Sequence, residues 1–175
     1  MWRGPSPAAF GAPGRLIVVT VLLVRHADAG SRGAWKHDDR LRPLTDRGRD
    51  QALGLVRAIG DRHALDRLVS SPSVRCIGTL APVAAALTLD IELDLALAEG
   101  EDPRAALALA REACEPGVGL VLCSHGDVIP AMLEVLESEG LDLGRHAQCQ
   151  KGSAWVLEGE HGRFHTSRYV PPAHE

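Results

Sequence analysis

Residues 16–26 read LIVVTVLLVRH, and this stretch decides the fold. Its first nine residues are aliphatic apart from one threonine, a short continuous run that predicts a strand buried on both faces of a sheet. The run is about half as long as the roughly 18 apolar residues that a membrane-spanning helix needs. Arg25 and His26 follow it directly, so two polar side chains come where the strand should end.

Strand and helix patterns alternate along the rest of the chain. Further strands are predicted at residues 65–70, 89–93 and 119–124, followed by a hairpin of residues 153–157 and 163–170 that turns at Glu160-His161-Gly162. Residues 27–44 read as a polar loop, and helices are predicted at 45–60, 71–87, 103–114 and 127–139, the second with Ser71 as N-cap and Pro72 as its first residue. This alternation indicates a three-layer α/β/α sandwich around a mainly parallel sheet. It occupies residues 15–175, and we expect residues 1–14 to be a flexible tail.

Composition restricts the class of function. The chain has 175 residues and a formal net charge of -4, which argues against broad binding of nucleic acid phosphates. Its cysteines include no C-x-x-C pair, so zinc-finger and thioredoxin-like sites have no support from spacing. We expect a cytoplasmic protein with free thiols that binds neither nucleic acid nor a membrane. The oligomeric state stays open.

Polar side chains follow the predicted strands at the point where each strand ends. In chain order they are Arg25 and His26, then Ser70, Ser71 and Arg75, then Glu99, then Ser124 and His125. Because ligands of open α/β sheets bind beyond the carboxyl ends of the strands, we expect these side chains to share one site. The planar guanidinium group of arginine can donate to two phosphate oxygens, and a helix N-terminus adds backbone N–H donors. A neutral imidazole is a competent nucleophile near pH 7. The set therefore predicts phosphoryl transfer.

Four motifs resemble those of the histidine phosphatase superfamily, also called the phosphoglycerate mutase-like family, over about residues 18–170. The R-H-G motif appears as Arg25-His26-Ala27, with alanine in place of glycine. The L-T-x-x-G-x-x-Q-A segment is residues 44–52, the S-S-P-x-x-R-x-x-x-T segment is residues 70–79, and S-H-G is residues 124–126. Each motif alone is weakly specific, but the four in this order indicate the family and its fold.

The resemblance implies a role for each matching residue. His26 would carry the phosphoryl group as a covalent phosphohistidine, and three side chains would hold the phosphoryl oxygens: Arg25, Arg75 and His125. A carboxylate would protonate the leaving group. Glu99 is the best match for that role, and the alternatives are Glu101, Asp28 and Asp127. The candidates for substrate binding are Arg32 in the first loop and Ser71 at the predicted helix start. No metal or other cofactor is expected.

Two further segments narrow the resemblance. Residues 38–52, DDRLRPLTDRGRDQA, and the compact length resemble SixA-type phosphohistidine phosphatases. Residues 151–157, KGSAWVL, resemble the phosphatase half of two-domain Nudix–histidine-phosphatase proteins. The short connection from Glu99 to Asp102 has no insertion of the kind that caps mutase sites. We therefore expect an open site for a phosphorylated small molecule, a nucleotide or a phosphoprotein.

Three other functions remain to be weighed. One is a mutase-type phosphotransferase, which the missing insertion disfavours. Another is a metallohydrolase, for which the available ligands match no compact motif: His26, Asp28, His37, Asp38 and His125. The last is a module that binds a phosphorylated partner without turnover, although such a pocket has no need of a nucleophilic histidine.

Overall fold

The computed structural model describes residues 19–59, 64–113, 119–144 and 147–173. Within them the strands are β1 Val19–Arg25, β2 Arg67–Ser70, β3 Ile91–Leu93, β4 Leu120–Ser124, β5 Ala154–Glu160 and β6 Arg163–Val170. The helices are α1 Asp46–Ile59, α2 Val74–Leu87, α3 Pro103–Glu112 and α4 Val128–Ser138. The tail predicted at residues 1–14 and the helix ends predicted at Gly60 and Cys114 lie outside the described residues.

The six strands form one sheet in the order β3-β2-β4-β1-β5-β6. The first four run parallel, β5 is antiparallel to β1, and β6 is antiparallel to β5. His161 and Gly162 join β5 to β6 with φ values of 48° and 73°, the left-handed backbone that a two-residue hairpin turn requires. The mainly parallel sheet and its closing hairpin are therefore confirmed.

Strand β1 lies at the centre of three layers. Leu22 and Val24 pack with the α1 and α2 side, whereas Val21 and Leu23 pack with the α3 and α4 side. All four are at most 1% exposed, as the continuous apolar run predicts for a strand covered on both faces. Among the described residues, no helix is both long enough and apolar enough to cross a bilayer.

The start of α2 differs from the prediction. The helix begins at Val74 with Ser73 as its N-cap, so Ser71 and Pro72 precede it. The reason is that Ser71 extends the end of β2: its N–H donates to the carbonyl of Cys123 at 2.9 Å, and its hydroxyl is engaged by a histidine ring. The Thr45 cap is confirmed, because its hydroxyl accepts from the N–H of Gly48 at 3.1 Å.

Candidate active site

The register of the central strands brings two histidines together. Arg25 at the end of β1 lies beside Ser124 at the end of β4, and the N–H of His26 donates to the Ser124 carbonyl at 3.0 Å. The rings of His26 and His125, each one residue further on, therefore meet edge to face with their centroids 5.4 Å apart. Both are buried, at 7% and 1% exposure.

The His26 ring is held in one orientation. Its Nδ1 lies 2.8 Å from the carbonyl of Ala27, which can only accept, so Nδ1 carries the hydrogen and Nε2 keeps the lone pair. The pKa of His26 is lowered from 6.5 to about 3, chiefly by burial; the Ala27 carbonyl opposes this effect, and the electrostatic influence of His125, Arg75 and Arg25 adds to it. The ring is therefore neutral at physiological pH, the form in which an imidazole can act as a nucleophile.

Arg75 is the central cation of the site, and its side chain is 1% exposed. Its Nη1 donates to the Asp39 carbonyl at 2.7 Å, and its Nη2 lies 3.1 Å from Glu99 Oε2 and 3.2 Å from His125 Nδ1. Its Nε is buried and has no hydrogen-bond partner among the described residues. The guanidinium is therefore fixed beside both histidines with donor capacity to spare for an anion.

The contacts of His125 fix its neutral tautomer. Because Arg75 can only donate, His125 Nδ1 accepts, and Nε2 carries the hydrogen. That Nε2 lies 2.8 Å from the hydroxyl of Ser71 and 3.6 Å from the thiol of Cys76. Ser71 is wholly buried behind the ring, so it contacts His125 and not the open space of the site.

The Arg25 guanidinium lies against the backbone of Gly126, the residue after His125. It donates from Nη1 to the carbonyl of Cys149, and its Nε is buried without a hydrogen-bond partner among the described residues. A Cβ at Gly126 would come within 2.6 Å of the Arg25 guanidinium carbon. The glycine of the S-H-G motif is therefore required for the close approach of this guanidinium to the backbone that carries His125.

Glu99 and Arg32 form the outer edge of the site. Nη2 of Arg32 donates to both Glu99 carboxylate oxygens, at 2.6 and 2.5 Å, and the two side chains are 59% and 40% exposed. Oε2 of Glu99 thereby joins Arg32 to Arg75. The structure thus brings both predicted residues to Arg75, in a position where an incoming phosphate would compete with Glu99 for the two arginines.

The other carboxylates considered for the leaving group have other contacts. Asp28 faces a separate cavity of about 370 Å³ and binds Lys151 at 2.7 Å and Thr45 at 2.8 Å. Partial burial raises its pKa, but the hydrogen bonds from Lys151 and Thr45 outweigh it and bring the pKa to about 2. Asp127 accepts from the N–H of Gly100 at 2.8 Å, and Glu101 is exposed.

Two residues without a role in the sequence analysis hold the site together. Thr79 Oγ1 accepts from the N–H of Ala27 at 2.9 Å and donates to the carbonyl of Arg75 at 2.7 Å. The carboxylate of Asp39 pairs with Arg75 at 3.2 Å. The threonine of the S-S-P motif was the available signal for Thr79. Asp39 is one of several acidic residues in a polar loop, and its spacing did not distinguish it.

Arg42 connects that loop to the backbone beyond β1. Its Nη1 donates to the carbonyls of Ala29 and Gly30 at 2.8 and 3.1 Å, and its Nε donates to Asp39 at 2.8 Å. The hydrogen bond from Arg42, with the charges of Arg75 and Arg32, lowers the pKa of Asp39. Asp39 is therefore a fixed anion that orients Arg75.

The described residues contain no group of three or more His, Cys, Asp or Glu side chains placed to hold a metal ion. The five ligands of the metallohydrolase hypothesis thus do not converge in this structure. Chelation of the purified protein remains the direct test of that hypothesis.

Comparison with known proteins identifies the class. The sequence model of the histidine phosphatase superfamily (branch 1) matches residues 21–101, a range that begins within β1 and includes Glu99. The chain belongs to the histidine phosphatase superfamily.

Individual relatives agree with this family. The 8-oxo-(d)GTP phosphatase of Mycolicibacterium smegmatis is 37% identical over 160 residues, which are 89% of this chain and 49% of that protein. The chain therefore spans about half the length of this curated relative. The structure of the protein histidine phosphatase SixA complexed with tungstate has a TM-score of 0.70 at 21% identity and covers 86% of this chain and 94% of that one. The structure of Bacillus stearothermophilus YhfR has a TM-score of 0.67 at 18% identity and covers 84% of this chain and 94% of that one. The two structures establish the shared phosphoglycerate mutase-like fold.

Proposed function

We propose that this protein is a phosphatase that transfers a phosphoryl group to Nε2 of His26 and then to water. The observation that carries the proposal is the neutral imidazole of His26, oriented by the Ala27 carbonyl and placed beside Arg75 and His125. A binding pocket gains nothing from a buried imidazole whose lone pair is exposed to an anion. A nucleophile requires that arrangement.

The reaction proceeds in two displacements. In the first, the Nε2 lone pair forms a bond to phosphorus, and the bond from phosphorus to the leaving oxygen breaks with its electron pair on that oxygen, which takes a proton. In the second, a water oxygen attacks phosphorus and gives a proton back to the carboxylate that protonated the leaving group. The bond from phosphorus to Nε2 breaks with its electron pair on Nε2, and inorganic phosphate leaves. Arg75 and Arg25 balance the charge of the phosphoryl oxygens in both steps.

Glu99 is the proposed proton donor for the leaving group. When a phosphate binds Arg75, it takes over donors that Glu99 shares in this structure. The carboxyl group, released from that contact, is then available to give a proton to the leaving oxygen. Asp28 is the poorest alternative, because a carboxyl group with a pKa of about 2 carries almost no proton near neutral pH.

Ser71 is proposed as a positioning residue for His125. A hydroxyl can donate or accept, so Ser71 can pair with Nε2 of His125 whether or not that nitrogen carries the hydrogen. When a bound phosphate takes the Arg75 donor away from Nδ1, His125 can change to the other tautomer, with Nε2 accepting from Ser71 and Nδ1 donating an N–H to a phosphoryl oxygen. The substrate contacts therefore fall to Arg32 and Arg75, which reach the open cleft.

A nucleotide is the substrate class with the most support. The relative named 8-oxo-(d)GTP phosphatase shares 37% identity, although this chain matches only about half of it. Phosphohistidine peptides and sugar phosphates complete the panel to be screened. We place the reaction in the cytoplasm, since Cys76, Cys123 and Cys149 are free thiols.

Substitution of His26 tests the proposal. We expect His26→Ala to lower kcat for 4-nitrophenyl phosphate by at least about a thousandfold, because the covalent route is lost. His37→Ala is the matched control: this exposed histidine belongs to the metal hypothesis but not to the phosphoryl site, and its loss should leave kcat unchanged. Turnover that survives in folded His26→Ala would refute the mechanism.

A trapping experiment separates the phosphatase from a binding module. Rapid acid-free quenching of the wild type with a ³²P-labelled substrate should leave acid-labile phosphate on His26, and activity should persist in excess EDTA. Stoichiometric binding without labelling or release of phosphate would instead establish recognition without turnover.

A further inference from the structure

An open cleft of about 310 Å³ adjoins Arg75 and Glu99. Its lining combines polar and apolar side chains: Pro72, Leu95 and Ala98 are apolar, and the polar ones are Arg32, Asp39, Arg40, Ser73, Arg75 and Glu99. Leu95 is 72% exposed, more than any other large exposed hydrophobic side chain of the described residues. An isolated exposed leucine needs no explanation, but this one lines a concave surface next to the proposed phosphate site.

The backbone holds Leu95 in that position. It is the first residue of the 3₁₀ turn Leu95–Leu97, which Asp94 caps by accepting from the N–H of Ala96 at 2.8 Å. Leu97 ends the turn as a wholly buried side chain, and its carbonyl accepts from the Ser124 hydroxyl at 2.7 Å. Because Ser124 directly precedes His125, the position of Leu95 is tied to that of the phosphoryl site.

We propose that Leu95, together with Pro72, is a specificity determinant that packs against a planar ring in the leaving group of the substrate. The inference rests on the proposed phosphatase function and narrows its substrate to small phosphate esters that carry such a ring, as nucleotides do. The phosphate would bind at Arg75, and the ring would cover the leucine side chain, which removes apolar surface of both from water.

The size of the cleft favours a small molecule over a protein surface. A volume of about 310 Å³ lies at the lower end of the range for pockets that hold small ligands. Arg32 and Arg40, which also line the cleft, are exposed and can meet a further negative charge on the same ligand. A phosphohistidine protein would need contacts outside the cleft, so we treat that substrate as the competing outcome.

The test compares Leu95→Ala with Leu93→Ala on two substrates. Leu93 is a leucine of similar kind, 56% exposed and two residues away, but it does not line the cleft. We expect Leu95→Ala to lower kcat/KM for 1-naphthyl phosphate about tenfold and for glycerol 2-phosphate less than twofold, because only the first has a ring to pack. Leu93→Ala should change neither by more than about twofold.

Binding to a variant without turnover separates this inference from the phosphatase proposal. In the His26→Ala background, adding Leu95→Ala should weaken the binding of 1-naphthyl phosphate about tenfold by calorimetry, whatever the chemistry at His26. Equal losses on both substrates, or the same loss with Leu93→Ala, would overturn the role of Leu95. So would a loss confined to a phosphohistidine peptide, which would assign the cleft to a protein substrate. Failure of wild-type turnover with the binding effect intact would refute only the phosphatase.

Discussion

The site has a buried floor and an exposed rim, and each contains an arginine in a different environment. We define the floor as His26, Ser71, Arg75 and His125, which are at most 7% exposed. We define the rim as Arg32, Asp39, Leu95 and Glu99, of which Arg32 and Glu99 are 59% and 40% exposed in their side chains. Each region contains an arginine that binds Glu99. Only in the floor is that arginine also fixed by a backbone carbonyl and a histidine.

This contrast separates catalysis from selection. In the floor, water is excluded and an arginine–phosphate contact is strong because little solvent screens it. In the rim, solvent screens the ion pair of Arg32 with Glu99, and exposed pairs of this kind contribute at most about 1 kcal/mol. We therefore expect the floor to determine the rate of phosphoryl transfer and the rim to determine which leaving group is accepted.

The same conservative substitution in both regions tests the contrast most directly. Arg75→Lys should lower kcat for 4-nitrophenyl phosphate by about a thousandfold, since a lysine retains the charge but loses the planar fork that reaches two oxygens. Arg32→Lys should lower it by about threefold. Steady-state kinetics would measure kcat of each variant relative to the wild type, and circular dichroism would confirm that Arg75→Lys is folded.

Comparable losses in the two variants would break the distinction between floor and rim. A loss in Arg75→Lys confined to KM would also contradict it, because it would mean that Arg75 binds ground state and transition state equally.

The floor could be predicted from the sequence because strand ends determine it. The apolar run before Arg25 identifies β1, and parallel strands whose ends are level must bring the residues that follow them to one edge. Motif spacing then selected His26, Arg75 and His125 from all the polar residues of the chain. The glycine at position 48 of the L-T-x-x-G segment is also explained by its surroundings, since a Cβ there would collide with the Asp28 carbonyl.

Asp39 and Leu95 of the rim could not be predicted in the same way, because their roles depend on contacts formed only in the folded chain. Asp39 reaches Arg75 only because Arg42 bonds the carbonyls of Ala29 and Gly30, a tertiary contact with no periodicity in the sequence. The prediction that α2 begins at Ser71-Pro72 was wrong for a related reason. The sequence there is typical of a helix start, but in the fold the Ser71 hydroxyl hydrogen-bonds His125 instead of capping the helix. Local propensity identifies elements, whereas the partner of a polar side chain depends on the whole fold.

A carboxylate in the rim provides the next test. We expect Glu99→Gln to lower kcat/KM about a hundredfold for an alkyl phosphate, whose leaving oxygen needs a proton, and less than about fivefold for 4-nitrophenyl phosphate, whose leaving group departs as the anion. The measurement is the dependence of kcat/KM on leaving-group acidity, which should become steeper in the variant.

Glu101→Gln and Asp127→Asn are the matched controls, because both were alternatives for the same role. Each should keep the leaving-group dependence of the wild type. If Glu101→Gln steepens that dependence and Glu99→Gln does not, Glu101 is the proton donor and the contact of Glu99 with Arg75 serves only to bind.

The smallest expected effect is on stability, and it comes from the floor alone. Burial lowers the pKa of His26 to about 3, so between pH 6.5 and pH 3 the unfolded chain takes up a proton at this ring that the folded protein does not. Folding stability from this group is therefore fully present above pH 6.5 and falls as the pH decreases. At pH 5 the loss is about 2 kcal/mol, or roughly a thirtyfold change in the unfolding equilibrium.

Urea denaturation of the wild type and of His26→Asn at pH 8, 7, 6 and 5 isolates this contribution, because other titrating groups cancel in the difference. From pH 8 to pH 5, the unfolding free energy of the wild type should fall by about 2 kcal/mol relative to that of His26→Asn. The unfolding free energy of His37→Asn, which alters an exposed ring, should have the same pH dependence as that of the wild type. Asp28, with its pKa of about 2, loses its own contribution only below about pH 4, outside this window. Parallel curves for His26→Asn and the wild type would mean that the folded protein accepts a proton at His26 near neutral pH, and a charged ring of that kind could not act as the nucleophile.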